Sequence, residues 1–213
     1  GDFSRFIFGL EKEAVVPAGF SFGKPILMAA DSPAFTNHYY KLLDYYLKRL
    51  KEHYRAVILD SNQQIPRDFF EGVQRFNKTL EVENVLKNII EDLNKRIEDP
   101  KPDYPKWLVI IPNIAATAMA GGISELDFKL LITEGSKHGV TPLFVGSYQD
   151  LVNNTYDDFV KLANQLVEQV FLGVRITDQN HTRYPYITNE PTLRPTQGYI
   201  LHPEYYEFIQ LME

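Results

Sequence analysis

The sequence predicts an α/β fold: a doubly wound, mainly parallel sheet with helices on both faces and a short β-hairpin at the N-terminus. Three observations predict it. Short, continuously apolar segments recur ("PILMAA", "AVIL", "WLVII", "PLFV", "VFLGV"), too uniformly apolar for strands with one wet face. Amphipathic helical segments separate them, the alternation that builds a parallel sheet covered on both sides. The first twenty residues instead alternate apolar and polar side chains, punctuated by Gly9, Pro17 and Gly19, which is hairpin patterning.

The elements follow in order. "SRFIFGLEKEAVVPAGFSF" reads as the hairpin and "KPILMAA" as a buried strand. A helix from about Thr36 to His53 places Tyr39, Leu42, Leu43, Tyr46, Leu47 and Leu50 on one face, at spacings of three and four. "RAVILDS" is a second buried strand, with Asp60 at its carboxyl end. Val82 to Arg96 forms a helix with Val82, Val85, Leu86, Ile89, Ile90 and Leu93 inward. After the Pro-rich "EDPKPDYP", "KWLVIIP" is a third strand. A helix runs from the N-cap Ser124 to about Lys137 and stops at Gly139, in keeping with the usual capping residues. "TPLFVGS", a helix from Tyr156 to Leu166, and "QVFLGVRI" come next. A loop from Thr177 to Thr196 precedes one or two closing strands in "GYILHPEYYEFIQLM". No repeat, low-complexity tract or internal boundary breaks the chain, so residues 1–213 read as one domain.

Composition narrows the function classes. The formal charge of −6 argues against a nucleic-acid binder, which carries a basic face. No run of eighteen apolar residues offers a membrane span, and no signal peptide opens the chain. The absence of cysteine excludes disulfides, thiolate metal sites and a cysteine nucleophile. The five histidines, His38, His53, His138, His181 and His202, show no metal-ligand spacing. No metal site is expected.

The junction of "PILMAA" with the following helix has the outline of a phosphate-binding loop, G-x-x-x-x-G-K-[ST] between a strand and a helix. On that frame the eight positions are Ala30, Asp31, Ser32, Pro33, Ala34, Phe35, Thr36 and Asn37. Ala30 and Phe35 replace the two glycines, Thr36 the lysine and Asn37 the hydroxyl residue. Pro33 has no N–H to offer phosphate, Phe35 adds a Cβ and a ring, and Asp31 adds negative charge. The helix N-terminus keeps only its dipole. Gly23-Lys24 is a decoy, because it precedes the strand and Pro25 follows it. The third strand ends in Pro112-Asn113, where a nucleotide hydrolase carries an acidic pair for magnesium and water. Either this is a phosphate loop that has lost its chemistry, or it is the first strand–turn–helix of an unrelated doubly wound fold.

Further segments resemble the ATPase modules of the FtsK/SpoIIIE type found in type VII secretion. Gly9, Leu10 and Pro17 match their opening G-L-x-x-x-x-x-x-P segment, and Asp31-Ser32 match the second and third positions of their G-D-S-x-x-G-K-[ST] loop. "KWLVIIPNI" resembles the strand carrying the acidic pair, and "TEGSKHGVTPLFVGSYQDL" the helix and strand after it. "TQGYIL" resembles the closing P-G-R-G-Y-L strand, with Gln197 in place of Arg. The resemblance runs from about Phe6 to the end, carried by order and spacing.

Within that family the chain is most similar to the last, degenerate ATPase-like module of the membrane-anchored motor of Firmicute type VII secretion systems. The resemblance implies a P-loop NTPase-like domain with no catalytic residue and no resident cofactor, ATP and magnesium binding weakly if at all. It implies a role in recognising secreted substrates, WXG-motif proteins or their partner toxins, and in packing against the preceding ATPase modules. It implies hexameric assembly in the full protein, no nucleic-acid partner, and a place in the cytoplasmic domain of a bacterial cell-membrane protein. Tyr39, Tyr40, Tyr45 and Tyr46 on one helix, and Tyr199, Tyr205, Tyr206 and Phe208 near the end, are candidate contact aromatics for a helix-in-groove partner. Two other functions fit the residues. One is a weak adenine-nucleotide module with a regulatory or residual ATPase role. The other is an unrelated hydrolase or transferase using Asp60, Asn113, Ser147, Gln149 and Asp150 at the carboxyl ends of the strands.

Overall fold

The computed structural model describes residues 3–213. The chain forms β1 (Arg5–Glu11), β2 (Val16–Ser21), β3 (Ile26–Ala30), α1 (Pro33–Leu50), β4 (Tyr54–Leu59), β5 (Gln74–Phe76) and α2 (Thr79–Glu98). It continues with β6 (Lys106–Ile111), α3 (Ile114–Gly121), α4 (Glu125–Glu134), β7 (Val140–Ser147), α5 (Asp158–Leu166), β8 (Gln169–Gly173), β9 (Gln197–Leu201) and β10 (Tyr206–Leu211). All ten strands share one sheet in the order β2-β1-β10-β9-β8-β3-β7-β6-β4-β5. From β8 to β5 the neighbours are parallel; from β2 to β8 they are antiparallel. The predicted architecture and the N-terminal hairpin are both present.

The two faces are covered differently. On one face α1 buries Tyr39, Tyr40, Leu43 and Leu47 against Ile26, Met28, Ile58 and Ile110. The β1–β2 hairpin curls over the same face and adds Phe6, Phe8, Phe20 and Phe22. Phe8 meets Phe20 and Phe171 edge to face at centroid distances of 5.0 and 5.5 Å. Such pairs contribute about 0.5–1.5 kcal/mol each beyond area burial, which helps hold the hairpin down. The curl brings the end of β2 to the start of β8. There the Gln169 carboxamide accepts from Ser21 N–H (2.8 Å) and donates to Ser21 C=O (2.8 Å). The opposite face packs Val82, Leu86, Ile90 and Leu93 of α2, with α3, α4 and α5, onto Val57, Val109, Phe144 and Val170.

Several expectations need correction. Helix α1 begins at Pro33, three residues before Thr36, because proline presets the φ of a first helical position and extended Ser32 (φ −130°, ψ 153°) precedes it. Of the four α1 tyrosines only Tyr45 is exposed, at 53%. Three elements had no clear signature. Strand β5 has only three residues, and α3 lacks a polar face. Residues Gln149–Asn153 form a single π-helical turn, so α5 starts at Asp158, where the Asp157 side chain accepts from Val160 N–H. The helix after Ser124 ends at Glu134 and a 3-10 turn carries the chain to Gly139, left-handed at φ 81°.

Candidate functional site

The Ala30–Asn37 loop sits at the carboxyl ends of β3, β7 and β8, where Ala30 pairs with Ser147 and Gly173. None of its residues has positive φ, so the chain takes an ordinary strand–turn–helix path there. The N–H groups of Phe35 and Thr36 both donate to the Ser32 carbonyl (3.0 and 3.1 Å), and Pro33 has none. Ala34 therefore holds the one uncommitted N–H among the first four helical residues. The Phe35 ring and Tyr39 hydroxyl close over the backbone of Gly173: a Cβ built there would lie 2.9 Å from Phe35 Cδ2 and nearer still to Tyr39 Oη. Thr36 is buried; Asp31 is exposed and Asn37 half-buried.

The electrostatics of this mouth disfavour an anion. Although Asp31 is exposed by surface area, partial desolvation of its carboxyl and then the charge of Asp178 raise it above its ordinary value. Arg175 is already committed to Asp178: its Nε lies 2.8 Å from Asp178 Oδ2, and its guanidinium also donates to Glu190 C=O (3.0 Å). Glu190 is buried and fully used. It accepts from Ile176 N–H (2.7 Å), Thr177 N–H (2.9 Å), Thr177 Oγ1 (3.1 Å) and Tyr199 OH (3.1 Å). Tyr148 accepts from Asn180 N–H (2.8 Å) and donates to Asn180 Oδ1; burial chiefly raises its pKa.

Pro112 and Asn113 are both buried. Asn113 caps α3, its Oδ1 accepting from Ala116 N–H (3.0 Å), and the Pro112 carbonyl packs on Gly146. Asp60, Ser147 and Asp150 do gather, joined by Gln64. Asp60 accepts from Gln64 and Ile65 N–H (2.8 and 2.9 Å). Asp150 Oδ2 accepts from Gln64 Nε2 (2.6 Å) and Ser147 Oγ (2.7 Å). Gln149 turns away to accept from Asn153 Nδ2. The cluster staples loops together, its carboxylates accepting from backbone, amide and hydroxyl donors. Gln197 lies in a turn with Arg194, whose N–H it accepts (3.0 Å). Among the described residues no group of three or more His, Asp or Glu side chains is arranged to hold a metal.

A second feature lies on the α2 face, at the β5 edge. A groove of about 420 Å³ runs between α2 and the sheet. Val85 and Ile89 of α2 form one wall, Phe76 and Trp107 the floor, and Asp92 and Arg96 one end. Such volumes and linings are typical of ligand sites. Arg96 is 2% exposed. Its guanidinium donates to His138 C=O (2.9 Å) and lies 5.0 Å from the Tyr104 ring. Its Nε is 2.9 Å from Asp92 Oδ2, yet off the line of its N–H, leaving that donor without a hydrogen-bond partner. Sequence reasoning missed Asp178, Glu190 and Arg96 as local determinants. The first two lie in a loop without periodicity, and Arg96 reads as the last charge of an amphipathic helix.

The fold, with α1 springing from the end of β3 beneath a turn, is that of a P-loop NTPase-like module. No family model matches the sequence. The chain is similar to the type VII secretion system protein EssC of Staphylococcus aureus strain NCTC 8325 / PS 47, at 27% identity over 203 residues, 95% of this chain and 14% of that protein. EssC of strain MRSA252 is 20% identical over 158 residues, 74% of the chain and 11% of that protein. Thus the chain spans about a seventh of the curated relatives it matches. Among solved structures, EssC (ATPases 2 and 3) from Geobacillus thermodenitrificans superposes with a TM-score of 0.79 at 14% identity, over 99% of this chain and 41% of that one. Thermomonospora curvata EccC (ATPases 2 and 3) in complex with a signal sequence peptide gives 0.67 at 13% identity, over 98% of this chain and 40% of that one. The resemblance read from the sequence is borne out: the chain has the likeness of an EssC ATPase-like module. Among the described residues no helix is long and apolar enough to cross a membrane.

Proposed function

We propose that this chain is a catalytically inactive ATPase-like module of a type VII secretion motor, acting in recognition of export substrates and in assembly with neighbouring ATPase modules. The observation that carries the inactive reading is the loop after β3. Its N–H groups at Phe35 and Thr36 are turned onto Ser32, and the Phe35 ring rests on Gly173. Phosphate cradling needs free backbone donors and a cation. Here Thr36 stands in place of the lysine, and Asp31 and Asp178 add negative charge. A polyanion has little to hold it.

The recognition role is supported by likeness: a relative of the same fold is described in complex with a signal sequence peptide. The partner is a secreted WXG-motif protein or a toxin paired with one. The module works as one domain, residues 1–213, of a longer membrane-anchored protein, on the side where EssC has its cytoplasmic domain, within a hexamer. Calorimetry tests both halves. Titration with ATP and magnesium should give no saturable heat; titration with a WXG-motif protein of the same secretion system should. Saturable heat from ATP alone would replace this reading with a regulatory adenine-nucleotide module.

A further inference from the structure

We infer that a pocket at the amino ends of the parallel strands binds one carboxylate carried on an apolar stem. The pocket, about 480 Å³ in volume, lies at the end of the sheet opposite the Ala30–Asn37 loop: Tyr54 opens β4, Lys106 opens β6 and Thr141 stands at the start of β7. Lys101, Lys106, Lys137 and His138 line it, and among the described residues no Asp or Glu does, in a chain of formal charge −6. Two of the lysines are neutralised at the rim. Lys101 Nζ is 3.2 Å from Asp99 Oδ2, and Lys137 Nζ is 3.4 Å from Glu134 Oε1. Lys106 is not: its ammonium lies 5.8 Å from the centre of the Tyr54 ring and forms no ion pair with a described residue.

The turn beside Lys106 is fixed while its own side chains stay uncommitted. Arg96 donates to His138 C=O (2.9 Å), Trp107 N–H to Gly139 C=O (2.7 Å) and Gly139 N–H to Ser136 C=O (3.3 Å). Yet Ser136 Oγ is buried without a hydrogen-bond partner, and the His138 ring makes no hydrogen bond with a described residue. A buried hydroxyl left unmade is unfavourable. With an unpaired ammonium lining the same pocket, an anionic oxygen is the acceptor that answers both.

The donors suit a carboxylate rather than a phosphate. One free ammonium and one hydroxyl match a single negative charge. Phosphates are cradled by uncommitted backbone N–H groups, and here Gly23 N–H is spent on Ser21 Oγ (3.0 Å) and Gly139 N–H on Ser136. The other side of the pocket is formed by Phe22, Tyr54, Tyr104, Pro100 and Pro102. The Thr141 and Tyr104 hydroxyls there already donate to Phe22 C=O (2.6 Å) and Asp99 C=O (2.8 Å), so they ask nothing of a ligand. An apolar wall with a few convergent polar groups is the usual make-up of a small-ligand site. The carboxylate has two sources, an acidic side chain of a peptide segment or a free small acid.

His138 is one of five histidines, so its ring signals in NMR spectra at constant pH report on the pocket, and His138→Gln assigns them. Two probes separate the sources: 3-phenylpropanoate, and a capped tripeptide with a glutamate between two leucines. Saturable movement of the His138 signals is expected, tighter with the tripeptide if the natural ligand is a protein segment and tighter with the free acid if it is a small molecule. Lys106→Gln should weaken the tighter probe at least about tenfold, and Ser136→Ala about three- to tenfold. Ser136→Ala should do so with an unchanged or higher melting temperature, because it deletes an unsatisfied hydroxyl; a purely structural serine would not behave that way. Lys129→Gln, the same charge change at an exposed position of α4, should leave affinity within about twofold. Static His138 signals with both probes even at millimolar concentration, or equal weakening by Lys129→Gln and Lys106→Gln, would overturn the pocket. Displacement of the bound probe by an equal concentration of inorganic phosphate would overturn its preference for a carboxylate.

Discussion

Phe35 lies against the backbone of Gly173, with the hydroxyl of Tyr39 beside it. The contact joins the first turn of α1 to the end of β8 and covers the ground a phosphate would need. Gly173→Ala should show how tightly that ground is filled. The new Cβ would meet Phe35, Ala30 and Tyr39 at less than ordinary contact distance. Overpacking of this kind costs about 1–3 kcal/mol, or a fall in melting temperature of roughly 2–4 °C per kcal/mol for a chain of this size. Thermal and urea denaturation check it. Unchanged stability would mean that Phe35 moves aside at no cost and the space can open.

Restoring the missing ammonium should not restore binding. In Thr36→Lys the lysine would sit at a buried helical position, with the N–H groups around it still committed to Ser32. Calorimetry with ATP and magnesium should remain flat, and the variant should lose stability, since burying an unpaired charge is unfavourable. Saturable ATP binding would show that the loop lacks only its lysine.

The central sheet was legible because continuously apolar strands and periodic helices carry their own signal. Strand β5 was hidden because three residues, Gln74 to Phe76, cannot show alternation. Helix α3 was hidden because Ile114–Gly121 contains no charged residue and so no polar face; its cap, Asn113, read instead as a lost acidic position. The candidate loop was legible in composition but not in conformation. Helix α1 already includes Pro33, which turns the Phe35 and Thr36 N–H groups onto Ser32 and away from any ligand. Asp178 and Glu190 come from a loop whose path is set by hydrogen bonds across more than ten residues, which no local pattern encodes.

Asp31 should be a pH-dependent liability. Partial desolvation and then Asp178 raise its folded pKa above the ordinary 3.8. The sign follows from linkage: its stabilising contribution is full below 3.8, where it is protonated in both states, and is lost as pH rises through the raised folded value. At pH 7 the ionised side chain is a small net penalty. Asp31→Asn should therefore raise the melting temperature slightly at pH 7, with the gain shrinking toward zero at and below pH 3.8. A loss at pH 7 would mean that the carboxylate has a stabilising partner.

His181 should act in the opposite direction. It is half-buried, with Nδ1 2.8 Å from Thr182 Oγ1; burial lowers its pKa below 6.5, outweighing a raising contact with the Asn164 backbone. The unfolded chain then binds the proton more readily. Stability from His181 is present above pH 6.5 and lost as pH falls through the lowered folded value. Melting temperatures from pH 7.5 to 5 should fall less steeply in His181→Gln than in the natural chain. Parallel slopes would place the acid sensitivity at other groups.

Glu190 tests whether the Thr177–Thr196 loop is ordered by a single side chain. One carboxylate gathers two backbone N–H groups, the Thr177 hydroxyl and the Tyr199 hydroxyl, fixing the start of the loop to its far end and to β9. In Glu190→Gln the carbonyl oxygen can keep one pair of donors, but the new NH₂ faces the others and can accept from none. Hydrogen bonds to a charged partner contribute about 1.5–3 kcal/mol, so a loss of that order is expected. Hydrogen exchange should localise it, with Ile176 and Thr177 amides losing protection while β6 and β7 keep theirs. Because Arg175 also donates to the Glu190 carbonyl and Asp178, a loosened loop should carry Asp178 away from Asp31. The Asp31→Asn gain at pH 7 should then shrink in the Glu190→Gln background, a double-mutant cycle that separates local repulsion from global instability. Full additivity of the two substitutions would show that Asp178 is held in place without Glu190.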